Sequence, residues 1–74
     1  MSELDNKVYI ELGKNVKAKR QELGLSLRQL AALCDTEHAK ISAIEGGKLN
    51  FRFSTILKIA KGLDTPLNEL FKPY

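Results

Sequence analysis

The sequence predicts an all-α fold, a compact arrangement of five helices in one domain that spans residues 1–74. Apolar residues recur at spacings of three and four along nearly the whole chain, and this spacing is typical of amphipathic helices. No segment alternates apolar and polar residues, and no Asn-Gly or Asp-Gly pair indicates a β-hairpin. The stretches between the apolar segments are short, so the helices must pack closely against one another.

The first helix is predicted to end near Gly24, because glycine is common just past the end of a helix. A second helix follows over about residues 27–34, and Ser26 with Gln29 forms the capping-box pattern that starts it. The apolar stripes are Tyr9, Leu12, Val16 and Leu23 in the first helix, and Leu27, Leu30, Ala31 and Cys34 in the second.

The third helix is predicted over about residues 37–45 and ends at Gly46 and Gly47. A last short helix is predicted with Thr65 as its cap and Pro66 at its first position, where the missing N–H of proline does no harm. The apolar stripe of the fourth helix is Phe53, Ile56, Leu57, Ala60 and Leu63, and the last helix carries Leu67, Leu70 and Phe71.

The composition narrows the class of protein. A chain of 74 residues has room for one small core with a thin stability margin, which favours help from a partner or a second copy. The net charge of +3 permits an anionic partner without requiring one. The single cysteine excludes an internal disulfide, and neither a signal peptide nor a membrane-spanning run of about 18 apolar residues is recognisable. We therefore expect a cytoplasmic protein without membrane association.

Two charged residues fall on the apolar sides of predicted helices. Arg20 lies on the stripe of the first helix, and Glu45 lies beside Ile41 and Ile44 on the third. An unpaired buried charge is very costly, so we predict a bidentate Arg20–Glu45 ion pair that joins the first helix to the end of the third. The alternative is that both side chains reach solvent separately.

This orientation leaves small residues on the outer face of the third helix. With Ile41 and Ile44 turned inward, Ala39 and Ala43 face outward, and Lys40 lies at one edge of that face. A helix with such small outward side chains can lie flat in a groove.

The stretch GLSLRQLAALCDTEHAKISAIEGGK resembles the helix-turn-helix of the XRE family, which includes the phage repressor and Cro proteins. The resemblance covers roughly residues 10–72. Its most specific elements are Arg20, Ser26-x-x-x-Leu30-Ala31, Ile41-x-x-Ile44-Glu45-x-Gly47-Lys48, and Leu63 followed by Leu67 and Leu70. The resemblance implies a five-helix lambda-repressor-like domain that binds double-stranded DNA sequence-specifically in transcription control. The third helix is then the recognition helix, which enters the major groove.

The resemblance places the base-reading positions of the family on His38, Ala39 and Ala43. His38 can form a hydrogen bond with a purine edge, whereas an alanine can touch only apolar groups, chiefly a thymine methyl. Lys40 is a further candidate, for a guanine rather than a phosphate. The alternative for His38 is an exposed residue without a role.

Phosphate contacts are expected from basic and polar residues around the recognition helix. The candidates are Arg28 at the start of the second helix, Ser42 on the third, and Lys48, Asn50 and Arg52 in the loop that follows. The N–H groups that open the second helix can also hold a phosphate. One basic residue alone is equally consistent with ordinary solvated surface, so the prediction depends on the cluster.

Several positions depart from the pattern of the family. Asp35 stands where the turn usually has glycine, although aspartate tolerates left-handed backbone better than most residues. Glu37 occupies the usual cap position of the third helix, and Thr36 is an alternative cap one residue earlier. Leu27 stands where a glutamine often touches a phosphate. These departures bear on the DNA contacts rather than on the fold.

A monomer of this size makes too few contacts for selective DNA binding. Helix-turn-helix dimers bind two half-sites about one helical turn apart, roughly 34 Å. We therefore expect a homodimer on a palindromic operator, with an interface that includes Leu67, Phe71 and Tyr74, to which Leu4 and Val8 can add. Alternatively, Leu67 and Phe71 simply complete the core.

Other functions have less support. The only histidine has no recognisable nucleophile and base around it, and no glycine-rich phosphate loop is present, so we do not expect an enzyme. Cys34 and His38 are four residues apart but supply only two of the usual four zinc ligands, so we expect Cys34 in the core and neither metal nor cofactor. The main alternative is an antitoxin or protein-interaction adaptor on the same fold, with an unknown protein partner.

Overall fold

The computed structural model of the protein describes residues 3–48 and 51–73, with side chains from residue 6 onward. The predicted contacts of Asn50 and Tyr74, and the side chain of Leu4, therefore lie outside the described residues. The described ranges form five helices and no strand, so the all-α prediction is confirmed. The helices are α1 (Glu3–Glu22), α2 (Leu27–Cys34), α3 (His38–Glu45), α4 (Phe53–Gly62) and α5 (Leu67–Leu70).

All five helices contribute side chains to one buried core. α1 packs against α3 and α5, α2 packs against α3 and α4, and α4 also packs against α5. Full burial of one leucine or isoleucine side chain stabilises a fold by about 1.5–3 kcal/mol, which makes this core the main source of stability. The buried apolar residues are Leu12, Val16, Leu30, Ala31, Cys34, Ile41, Ile44, Ile56, Ile59, Ala60, Leu63 and Leu70.

Three predicted core positions are wrong. Leu23, Phe53 and Leu57 are 47%, 60% and 41% exposed. Leu23 lies just past the end of α1, where the chain turns away from the core. Ile59 is buried although it was not predicted as a core residue. The buried side of α4 is rotated toward Ile59 because α2 packs against the neighbouring flank of α4, which carries Gly62. Phe53 and Leu57 consequently lie on the flank of α4 that α2 does not cover.

The start of α2 follows the local sequence closely. The Ser26 hydroxyl accepts the N–H of Gln29 at 3.0 Å, and the Gln29 side chain accepts the N–H of Ser26 at 2.8 Å, so the predicted capping box is confirmed. Just before it, Gly24 has a φ of 71°, the left-handed conformation that lets the chain leave α1 and turn into α2.

Thr36, the alternative cap of α3, does not cap this helix. The Thr36 hydroxyl donates to the carbonyl of Cys34 at 3.4 Å, back toward the helix that has just ended. The left-handed backbone of Asp35 accounts for this direction, because it reverses the chain immediately before the threonine. α3 begins at His38, one residue later than predicted, and its N-cap Glu37 makes no side-chain capping hydrogen bond.

The predicted cap of α5 by Thr65 is wrong for the same reason. Asp64 has a φ of 50°, and the Thr65 hydroxyl donates to the carbonyl of Leu63 at 2.9 Å. Pro66 is therefore the N-cap of α5 rather than its first residue, and the helix begins at Leu67.

Candidate nucleic-acid interface

α2, the turn at residues 35–37 and α3 form a helix-turn-helix. Asp35 has φ and ψ of 54° and 50°, so the turn holds the left-handed conformation predicted for it. The N–H of Thr36 donates to the carbonyl of Ala31 at 3.0 Å, which closes the end of α2. The chain then enters α3, and the N-terminal residues of this helix are exposed.

α3 is anchored by two isoleucines and presents its small residues outward. Ile41 and Ile44 are 0% and 2% exposed. The opposite side carries the predicted DNA contacts: His38, Ala39, Lys40 and Ser42 are exposed and Ala43 is partly exposed. The face that the sequence predicted for reading bases is therefore open to solvent in the structure.

Arg20 and Glu45 form the predicted bidentate ion pair. Nε of Arg20 donates to Oε2 of Glu45 at 2.7 Å, and Nη2 donates to Oε1 at 3.1 Å. Nη1 also donates to the carbonyl of Leu25 at 2.8 Å. The two side chains are only 12% and 7% exposed, and the hydrogen bond to Glu45 raises the pKa of Arg20 further. The pair thus ties α1 and the loop before α2 to the end of α3.

Gly13 sets how closely α1 approaches the recognition helix. A Cβ atom at Gly13 would lie 2.3 Å from the carbonyl oxygen of Ile44 and 2.8 Å from that of Glu45. The two helices therefore meet backbone to backbone at this point. This role of Gly13 was not predicted, and its signal in the sequence is a glycine inside an otherwise helical segment.

A groove of about 540 Å³ lies between α3 and the start of α4. Its floor is apolar and includes Ile44 and Phe51, and three basic side chains stand around it. The groove brings together five of the predicted DNA contacts, Ala39, Lys40, Ala43, Lys48 and Arg52. Thr55, which also lines it, was not predicted, because its position became visible only once α4 was placed beside α3.

Phe51 is held in this groove by an aromatic contact with α1. The ring centroids of Tyr9 and Phe51 are 5.4 Å apart with an interplanar angle of 74°, an edge-to-face arrangement. This contact fixes the segment that leads into α4, and with it Arg52, relative to α1.

The remaining predicted contacts lie outside the groove. His38 is exposed at the first residue of α3, and Ser42 is exposed on the same helix. Arg28 is exposed at the second residue of α2. Because the N–H of Gln29 is occupied by Ser26, a phosphate at the start of α2 has to use the N–H groups of Leu27 and Arg28.

The predicted dimer residues differ in exposure. Leu67 is partly buried against the core, which agrees with the alternative that this residue helps to complete the core. Phe71, by contrast, is 39% exposed.

Cys34 lies in the core, as predicted, and is a free thiol. Burial raises the pKa of this thiol, partly offset by a hydrogen bond with the Gly62 backbone. Within residues 3–48 and 51–73 no cluster of three or more metal-ligating side chains is present. In the same ranges no helix has the length and apolar character needed to cross a membrane.

Residues 11–70 match the helix-turn-helix domain family. The chain is 37% identical over 67 residues to the control protein C.MunI of a Mycoplasma species, an alignment that covers 89% of this chain and 90% of that protein. It is 39% identical over 59 residues to the HTH-type transcriptional regulator PuuR of Escherichia coli K12, covering 80% of this chain but only 32% of that regulator.

Solved structures of similar proteins have the same arrangement of helices. The restriction-modification controller protein C.AhdI from Aeromonas hydrophila aligns with a TM-score of 0.80 and 32% identity, covering 85% of this chain and 96% of that one. The hypothetical transcription factor NHTF from Neisseria aligns with a TM-score of 0.84 and 28% identity, covering 93% and 79%. The chain therefore belongs to the helix-turn-helix domain family and is an XRE-like DNA-binding protein.

Proposed function

We propose that this protein is a transcriptional regulator that binds double-stranded DNA sequence-specifically through α3, as a homodimer on a palindromic operator. The observation that carries the proposal is the outer face of α3, where small side chains adjoin a groove bordered by Lys40, Lys48 and Arg52. The controller proteins C.MunI and C.AhdI, which match nearly their whole length to this chain, favour a controller-type regulator.

Affinity and specificity come from different residues in this proposal. Lys48 and Arg52 border the groove and contact phosphates, which position the protein without reading the sequence. His38 reads a base edge by hydrogen bonding, and Ala39 and Ala43 touch thymine methyl groups. Because alanines discriminate among few groups, the shape and deformability of the DNA supply part of the specificity.

The length of α3 explains why two copies are needed. Its eight residues extend over about 12 Å, enough for only a few base pairs in one major groove. Two copies that place their α3 helices about 34 Å apart read two half-sites on the same side of the duplex. Leu67, Phe71 and Tyr74 are the proposed contributors to the contact between copies.

We expect DNA affinity to fall steeply with salt. A preferred duplex is first selected from a random pool, and its affinity and that of a scrambled duplex are then measured by fluorescence anisotropy at several salt concentrations. Each neutralised phosphate contributes a slope of about −0.9 in log K against log salt. Lys48→Gln should reduce the slope by about one per protomer, with equal loss on both duplexes. Lys17→Gln, an exposed lysine on α1, is the matched control.

Two results of this titration contradict the proposal. Affinity that does not change with salt excludes phosphate contacts, and equal affinity for selected and scrambled duplexes excludes sequence-specific reading. Either result favours the antitoxin or adaptor function, in which a protein is the main partner.

Ala43→Glu should abolish specific DNA binding without lowering the melting temperature. The new carboxylate would stand on the outer face of α3, beside the phosphates and base edges that carry negative potential, whereas glutamate is nearly as good a helix former as alanine. Ala18→Glu, at an alanine on α1 that is also partly exposed, adds the same charge away from α3 and should bind normally. Full binding by the Ala43→Glu protein would show that α3 does not read the DNA.

A further inference from the structure

The N-terminal part of α1 packs against the chain that leaves the recognition helix. A Cβ atom at Gly47, where φ is 83°, would lie 3.2 Å from Cγ1 of Ile10 and 3.6 Å from its Cα. One residue earlier on α1, the ring of Tyr9 meets that of Phe51 edge to face, with the centroids 5.4 Å apart. The match to the helix-turn-helix family begins at residue 11, so both contacts use a part of α1 that lies outside it.

Each of these contacts adjoins a basic residue that borders the groove beside α3. Lys48 follows Gly47, and Arg52 follows Phe51. Both basic side chains are exposed, and neither takes part in an ion pair among the described residues. Arg52 is also the N-cap of α4 and makes no side-chain capping hydrogen bond. The backbone next to each cation is therefore held by α1, while the charge itself is open to an anion from outside.

The same helix also holds α3. Arg20 binds Glu45, and Gly13 meets the carbonyl oxygens of Ile44 and Glu45 backbone to backbone. Toward its N-terminus, α1 thus contacts first the end of α3 and then the chain that follows α3. One helix consequently sets the distance between the recognition helix and the cations beside it. Holding a binding group in place before its ligand arrives raises affinity, because less freedom is lost on binding.

Tyr9 acts on the groove from behind. Phe51 lines the groove, whereas Tyr9 lies outside its lining and is only partly exposed. An edge-to-face pair of aromatic rings changes an equilibrium by about two- to tenfold. That is enough to matter for a segment whose position decides where a cation stands.

We infer that Tyr9 is a positioning residue for DNA binding. Through Phe51 it holds the backbone of Arg52, so that this cation is in place for a phosphate before the duplex arrives. Tyr9 itself touches no DNA in this role. The role rests on the proposed function, in which Arg52 contacts a phosphate.

The test is a double-mutant cycle on duplex affinity, measured by fluorescence anisotropy with the full chain. Tyr9→Ala should weaken binding by about two- to tenfold per protomer. The factor should be equal for the selected and the scrambled duplex, because a phosphate contact carries no sequence information. In the Arg52→Gln background the same substitution should have almost no further effect, since the cation that Tyr9 positions is already absent. Combined with Arg28→Gln on α2, the two effects should multiply.

Further variants separate positioning from other roles of Tyr9. Tyr9→Phe keeps the ring and removes the hydroxyl, so it should bind like wild type. Val8→Ala removes an exposed apolar side chain from the same turn of α1 and should also bind like wild type. Circular dichroism melting identifies any variant that is not folded at the assay temperature. Tyr9→Leu keeps most of the apolar volume without the aromatic edge, and it replaces Tyr9→Ala in the cycle if that variant melts too low.

Four results overturn this role of Tyr9. Tyr9→Ala binds like wild type; its effect persists in full in the Arg52→Gln background; Tyr9→Phe loses as much affinity as Tyr9→Ala, which means that the hydroxyl contacts DNA directly; or Arg52→Gln alone binds like wild type, which leaves no contact to position. DNA reading by α3 stands in all four cases. The proposed function fails separately, and the role of Tyr9 with it, if wild type does not distinguish the selected from the scrambled duplex.

Discussion

Replacing Glu45 by alanine is expected to lower the free energy of unfolding by about 3–5 kcal/mol. The substitution leaves the guanidinium of Arg20, which is only 12% exposed, with the Leu25 carbonyl as its remaining hydrogen-bond partner among the described residues. A buried charge without a counter-ion is far more costly than the net contribution of the pair itself. Because small domains are stable by about 5–15 kcal/mol, a loss of this size removes a large share of the stability of the fold.

Urea denaturation followed by circular dichroism measures this loss. Glu22→Ala is the matched control, since Glu22 has a 69% exposed side chain whose contact with Lys19 is 3.6 Å long and contributes little. Replacing both members of the buried pair by apolar residues, as in Arg20→Met with Glu45→Leu, should recover much of the stability. A loss below about 1 kcal/mol for Glu45→Ala would mean that the pair is not buried in solution.

Gly13→Ala is expected to destabilise the fold by about 1–3 kcal/mol and to weaken DNA binding as well. The added methyl group would overlap the carbonyl oxygens of Ile44 and Glu45, which are backbone atoms that cannot rotate away. α1 must therefore move away from the end of α3, although alanine itself would favour the helix by about 1 kcal/mol. The displacement shifts the recognition helix relative to the rest of the domain.

Gly46→Ala is the matched control for this change. A Cβ atom at Gly46 would lie 3.5 Å from its nearest neighbours, an ordinary contact, and its φ of −82° suits any residue. Thermal melting should therefore separate the two variants clearly, and duplex affinity should follow the same order. A Gly13→Ala protein as stable as wild type would show that α1 and α3 are further apart than the structure places them.

Much of the fold was predictable because its signals are local. The capping box of Ser26 and Gln29 depends on residues three apart, and the turn at Asp35 depends on one residue that tolerates left-handed backbone. The bounds of α2 were predicted correctly for the same reason. The predicted cap at Thr65 and the alternative cap at Thr36 both failed. Each threonine follows a left-handed residue, and its hydroxyl donates to a carbonyl at the end of the preceding helix instead of capping the next one.

The candidate site was predictable in part. The positions of Ala39, Lys40 and Ala43 on the outer face of α3 followed from the inward direction of its isoleucines. Phe51 and Thr55 could not be predicted as lining residues, since they meet α3 only across a groove that the packing of α4 creates.

The periodicity of the chain was sufficient to identify the helices and the Arg20–Glu45 pair, because a charge on an apolar stripe requires a partner wherever that stripe is buried. The helix-turn-helix followed from the resemblance to a known family. The relative placement of the helices could not be predicted from periodicity. Only packing could show that α4 buries Ile59 and exposes Leu57, that Gly13 admits a backbone contact, and that Asn15 holds the end of α5. The physical reason is that helical spacing defines which residues share a side of one helix, whereas rotation and distance between helices depend on the shapes of both contacting surfaces.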